Sequence, residues 1–147
     1  MEKLNLFIIR ISAPFFFVIY ILTGIYLCFY NINALIPFII IPAVALITSY
    51  SLRGFIKRPR PFLKYNLEAA HTHKKSWSCP SNHAVCSSII AFSCMQINIW
   101  FGLALFILAL ITCISRVLIK LHFITDILIG YMISFLIALT GYYIFII

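Results

Sequence analysis

Apolar residues run through this chain in long uninterrupted stretches, and the polar residues gather between them. Ile11 to Leu52 passes without one charged side chain. At about 1.5 Å rise per helical residue it covers roughly 60 Å, enough for two crossings of a hydrocarbon core about 30 Å thick. Asn31-Ile32-Asn33 is the polar break inside it and predicts one helix over 11–30 and another over 34–56. Pro14, Pro37 and Pro42 fall inside these helices, where a membrane setting tolerates proline as a kink. Ala84 to Ser115 is a second uncharged run, which Gln96-Ile97-Asn98 divides into two helices. Ile127 to Ile147, also uncharged, is long enough for a last span. The pattern predicts an all-α integral membrane helical bundle of about five transmembrane helices, in a single domain over 1–147.

Composition sharpens this picture. Charged residues make up 10% of the chain and the mean hydropathy is +1.10. Soluble domains carry about 25% charged residues, so a soluble globular fold is excluded. The only acids are Glu2, Glu68 and Asp126, too few for the carboxylate clusters that most metal-dependent hydrolases need. The net charge of +8 points to an anionic partner: a lipid headgroup, a phosphate or a membrane surface. Lys3 and Arg10 before an apolar run resemble the start of a signal peptide. That run is long and shows no small-residue cleavage site before the next span, so a retained helix is expected. Cys28, Cys79, Cys86, Cys94 and Cys113 have neither metal-ligand nor disulfide spacing and read as small membrane-helix residues. Cys79 sits in a polar stretch, which leaves room for greater reactivity, and nothing in the sequence gives it a role.

Two polar junctions interrupt the apolar runs. Residues 53–83 hold seven of the 11 basic residues, three of the four histidines and three of the six prolines. Arg116 to Asp126 forms the second junction. With five helices both lie on one membrane face, as do all the Lys and Arg residues, and the opposite turns carry none.

Three elements at these junctions carry chemistry. Arg53, Lys57, Arg58, Pro59, Arg60 and Pro61 read either as an interfacial basic belt or as a phosphate clamp. The prolines would stop the helix and fix the guanidinium between them. Ser78-Cys79-Pro80-Ser81-Asn82-His83 reads as a capped helix start, whose free N–H groups can hold an anion beside His83. His122 and Asp126 share one face if residues 122–126 are helical, so the carboxylate can accept one imidazole proton and leave the other nitrogen as a nucleophile. The bland alternatives are a surface histidine and a structural His–Asp pair. Together the elements supply two histidines, a carboxylate, at least three cations and a helix N-terminus on one face. That set is sufficient for phosphoryl transfer without a metal.

The spacing of these residues resembles the type 2 phosphatidic acid phosphatase superfamily, which includes vanadium haloperoxidases. Its pattern of Lys, six residues and Arg-Pro appears here as Arg53, six residues and Arg60-Pro61. Pro-Ser-Gly-His appears as Pro80-Ser81-Asn82-His83. Ser-Arg, five residues, His, three residues and Asp is complete as Ser115-Arg116, His122 and Asp126. The matching region spans 53–126. The resemblance implies that His122 forms a phosphohistidine, Asp126 orients it and His83 is the general acid. It implies that Arg60, Arg116 and Ser81, with the backbone around Asn82, bind phosphate oxygens. Arg53 stands where the family has Lys, and Asn82 where it has Gly. Many membrane members have six helices, and the pattern here lacks the first.

The expected activity is a metal-independent lipid phosphatase with no cofactor. The resemblance implies a phospholipid or polyprenyl phosphate as substrate: a polyprenyl pyrophosphate, phosphatidylglycerophosphate, phosphatidate or a lipid A phosphate. The alternatives are a lipid phosphotransferase using the same histidine and a non-catalytic anion-binding membrane protein. Neither nucleic acid nor an obligate protein partner is expected. His71 and His73, beside Lys74 and Lys75, read as a solvated basic loop, since His-x-His without a third ligand is a weak metal signal. Trp77 and Trp100 read as interface anchors. The positive-inside rule puts the basic face in the cytoplasm, but several of those charges serve the site. The resemblance favours the outer face of a bacterial inner membrane, and the expectation leans that way.

Overall fold

The computed structural model describes residues 2–65 and 77–146. His71, His73, Lys74, Lys75 and Glu68 lie outside the described residues. Every regular element among the described residues is a helix: α1 Glu2–Tyr30, α2 Ile32–Ile56, α3 Pro61–Lys64, α4 Asn82–Met95, α5 Ile99–Leu118 and α6 Ile124–Ile146. Five of these helices, α1, α2, α4, α5 and α6, are those the apolar runs predict. Helix α1 starts earlier than residue 11, and the short α3 is an addition within the first junction.

The breaks have local causes. Asn31 alone separates α1 from α2, and its Oδ1 accepts the Ala34 N–H at 3.3 Å. Asn98 caps α5 in the same way, accepting from Phe101 N–H at 3.0 Å. Both satisfy donors that a helix start leaves orphaned. Helix α2 ends before Pro59. Lys57 takes the left-handed region at φ 46°, and its N–H donates to Arg53 O at 3.3 Å. The extended Arg60 then caps α3, with Pro61 in its first turn.

Four helices, α1, α2, α5 and α6, are long and apolar enough to cross a membrane. At 14 residues α4 is shorter than a span of about 20. It lies inside the bundle, packed on α2, α5 and α6, with Ala84, Val85, Ile89, Ala91 and Cys94 buried. The core around it draws Phe16 and Leu27 from α1, Phe38 and Ile41 from α2, Leu105 and Ala109 from α5 and Ala138 from α6. The outer faces are covered by exposed apolar side chains such as Phe29 and Phe55. That is the pattern of an integral-membrane bundle whose solvent is lipid.

Close approach positions the site. A Cβ on Gly130 would lie 2.9 Å from Ala84 Cβ and 3.2 Å from Ser81 O, so α6 presses directly on the start of α4. At the same end Ile9 of α1, Phe62 of α3 and Ile119 and Leu121 after α5 form a second apolar cluster. It holds the two junctions against each other.

Candidate active site

Two helices end and two begin where the junctions meet. Arg53 lies in the last turn of α2 and Arg116 in the last turn of α5. Asp126 lies in the first turn of α6. Each charge sits at the helix end whose dipole favours it.

The arginines line one cavity. It measures about 550 Å³, and Arg53, Arg60, Asn82, His83, Arg116 and His122 form its polar end. Arg53 Nη2 donates to Pro80 O at 2.7 Å, and Arg60 Nη1 reaches Leu121 O at 3.5 Å. Arg116 is 2% exposed. Among the described residues, the buried Nε atoms of Arg53 and Arg116 have no hydrogen-bond partner. Guanidinium donors left without acceptors are costly unless something anionic completes them, and a phosphate offers several oxygens at once.

Helix α4 supplies the second histidine. Ser81 is its N-cap and accepts from Ala84 N–H at 3.5 Å, while the Ser81 N–H donates to Asp126 O at 3.0 Å. Asn82 and His83 are the first residues of the helix and line the cavity. Asn82 takes ordinary helical backbone, so its Cβ brings no strain here. Its Oδ1 accepts from the buried Ser49 hydroxyl of α2 at 2.8 Å.

His122 lies just before α6 begins, four residues ahead of Asp126, and faces both that carboxylate and a backbone carbonyl. Its Nδ1 is 3.0 Å from Ser78 O and 3.7 Å from Asp126 Oδ2. A carbonyl can only accept, so Nδ1 carries the proton and Nε2 has the lone pair. Asp126 stands within ion-pair reach, and its oxygens also accept from two further donors. Oδ2 accepts from Phe123 N–H at 2.9 Å, reaching back to cap α6, and Oδ1 accepts from Arg58 Nη1 at 2.9 Å. Burial lowers the His122 pKa below its ordinary 6.5; Arg60 and Arg116 push the same way, and Asp126 opposes them. Neutral imidazole is favoured, as a nucleophile requires.

The structure therefore brings together Arg53, Arg60, Ser81, Asn82, His83, Arg116, His122 and Asp126. It adds residues to which the spacing assigned no role. Arg58 bridges to Asp126 and to Thr125 Oγ1 at 2.6 Å, and its guanidinium stacks 4.0 Å from the Phe123 ring centre. Ser78 is buried and donates its N–H to Arg58 O at 2.7 Å. Its hydroxyl is 3.2 Å from both Arg58 O and Pro59 O. The only sequence signal for either residue was its place inside a basic or capping run. Cys79 is buried, and burial pushes its thiol pKa up.

A sequence model of the PAP2 superfamily matches residues 34–146. A search of curated proteins gives no match. Among solved structures, the fold is similar to one described as the first transmembrane PAP2-type phosphatidylglycerolphosphate phosphatase from Bacillus subtilis. The TM-score is 0.74 at 21% identity, over 97% of this chain and 75% of that one. The chain belongs to the PAP2 superfamily, as an integral-membrane phosphoric ester hydrolase.

Proposed function

We propose that this enzyme hydrolyses a phosphomonoester or pyrophosphate of a membrane lipid through a phosphohistidine at His122. The observation that carries this reading is the shape of one cavity. Its polar end holds three arginines and two histidines, and its wall continues along apolar residues of α1 and α2: Phe16, Phe17, Ile39, Pro42, Ala43 and Leu46. Such a space suits a ligand with a phosphate at one end and hydrocarbon at the other.

His122 Nε2 attacks phosphorus while the bond from phosphorus to the lipid oxygen breaks. His83, protonated, gives its proton to that oxygen. Arg53, Arg60 and Arg116 neutralise the charge on the phosphoryl oxygens, with Ser81 and Asn82. Ser78 O and Asp126 stabilise the Nδ1–H side of the ring as positive charge develops. In the second half, His83 takes a proton from water, the water oxygen attacks phosphorus, and the P–N bond breaks to release phosphate. No metal enters this scheme.

Phosphatidylglycerophosphate heads the substrate panel because the similar solved protein is described as acting on it. Polyprenyl pyrophosphate, phosphatidate and lipid A phosphate follow. The reading puts the enzyme in a bacterial inner membrane with the site on the outer face. The test is phosphate release by purified protein in EDTA, wild type beside His122→Ala. Release by wild type alone supports the reading, and the ranking of substrates narrows it. Dependence of the chemical step on Mg²⁺ contradicts it. Transfer of the phosphate to a lipid acceptor instead of water would turn it into a phosphotransferase.

A further inference from the structure

We propose that Asn82 binds the phosphate directly through its side-chain amide, and that Ser49 is the positioning residue that turns the amide towards the cavity. This rests on the phosphate reading above and deepens it.

Most buried hydroxyls in these helices donate their proton locally. Ser12, Ser87, Ser88, Ser93, Thr112 and Ser115 each donate to a carbonyl three or four residues back in their own helix. Ser49 has no such bond among the described contacts. It is buried in α2 and donates 2.8 Å across to Asn82 Oδ1, in a different helix.

That bond fixes the amide. With Oδ1 turned to Ser49, Nδ2 faces away from it, and no described contact gives Nδ2 a protein acceptor. Asn82 is half-buried in the cavity wall beside Arg53, Arg60 and Arg116. Nδ2 carries two N–H donors and no acceptor, which matches a phosphate oxygen. The family pattern has glycine here and offers only backbone N–H. This chain adds a side-chain donor, held from behind by a second helix.

The test uses full-length purified protein in detergent. Its readouts are inhibition by orthovanadate and by inorganic phosphate, with KM and kcat on the best substrate of the panel. Asn82→Gly should weaken both inhibitors about tenfold, the scale of one hydrogen bond to a charged group. Asn82→Asp keeps the volume and the acceptor for Ser49 but replaces the donor by a negative charge. It should weaken them further, about a hundredfold. Ser49→Ala should cost about threefold, mainly in KM, and should cost nothing further in the Asn82→Gly background.

Vanadate binding by Asn82→Asp equal to wild type overturns the proposal, as does a Ser49→Ala loss that persists in the Asn82→Gly background. The two readings separate cleanly. If wild type neither releases phosphate nor binds vanadate, the phosphatase reading fails and this inference falls with it. If His122→Ala alone is inactive while the Asn82 variants match wild type, only the amide assignment is wrong.

Discussion

The two ends of the bundle close their turns by different means. At one end Asn31 and Asn98 each accept a backbone N–H three residues on, and the residues of these two turns carry no charge. At the other end the bonds join distant parts of the chain: Arg58 to Asp126, Arg60 to Leu121 and His122 to Ser78. A turn that only reverses the chain is finished by one amide. The site end cross-links three segments, and among the described residues the buried Nε atoms of Arg53 and Arg116 meet no acceptor. The difference marks where polar groups serve chemistry and where they serve only the backbone.

The largest effect belongs to His122→Ala. It should lower turnover by about three orders of magnitude or more, because the groups that remain can bind and orient the phosphate but not accept it. Phosphate release in detergent measures it. Asp126→Asn comes next and should reduce turnover about a hundredfold. It also removes the charge that Arg58 meets, and since Arg58 is 33% exposed the stability cost should be about 1–2 kcal/mol. Thermal unfolding checks that part.

Gly130→Ala forces α6 off α4, where the added Cβ would meet Ala84 Cβ at 2.9 Å. It should cost about 1–3 kcal/mol and also lower kcat, since the Ser81–Asp126 contact shares that interface. A packing substitution at the far end would lower stability alone.

The pH profile gives a subtler effect. The nucleophile is neutral His122, and burial lowers its pKa. The acid limb of kcat/KM from this group should therefore fall below pH 6.5, and activity should be lost only as pH drops through that lower value. The smallest effects belong to Asn31→Ala and Asn98→Ala. Each should cost about 1 kcal/mol in unfolding with kcat unchanged.

Much of this was legible in the sequence because it follows from local chemistry. Uncharged runs marked the long helices, Gln96-Ile97-Asn98 marked a break, Ser78 to His83 marked a helix start, and the spacing from Arg53 to Asp126 picked out the residues that meet. Less legible was everything set by tertiary distance. The partner of His122 Nδ1 is a backbone carbonyl, and a carbonyl has no sequence signature. Arg58 stands among other basic residues, and only the fold shows that it is the one that reaches Asp126. Helix α4 reads like a span in its apolarity, yet its serines and alanines are inside the bundle. Ser49 was invisible for the same reason: a serine in an apolar helix usually bonds its own helix.

Trapping the enzyme intermediate decides whether His122 carries the phosphoryl group. Wild type and His122→Ala would be mixed with lipid substrate labelled in the phosphate, in EDTA, quenched within one turnover and mapped by mass spectrometry. The expected result is an acid-labile phosphoryl group on His122 of the wild type and none on the variant. Full turnover by the variant, or phosphate release by wild type with no labelled His122 at any quench time, would contradict it.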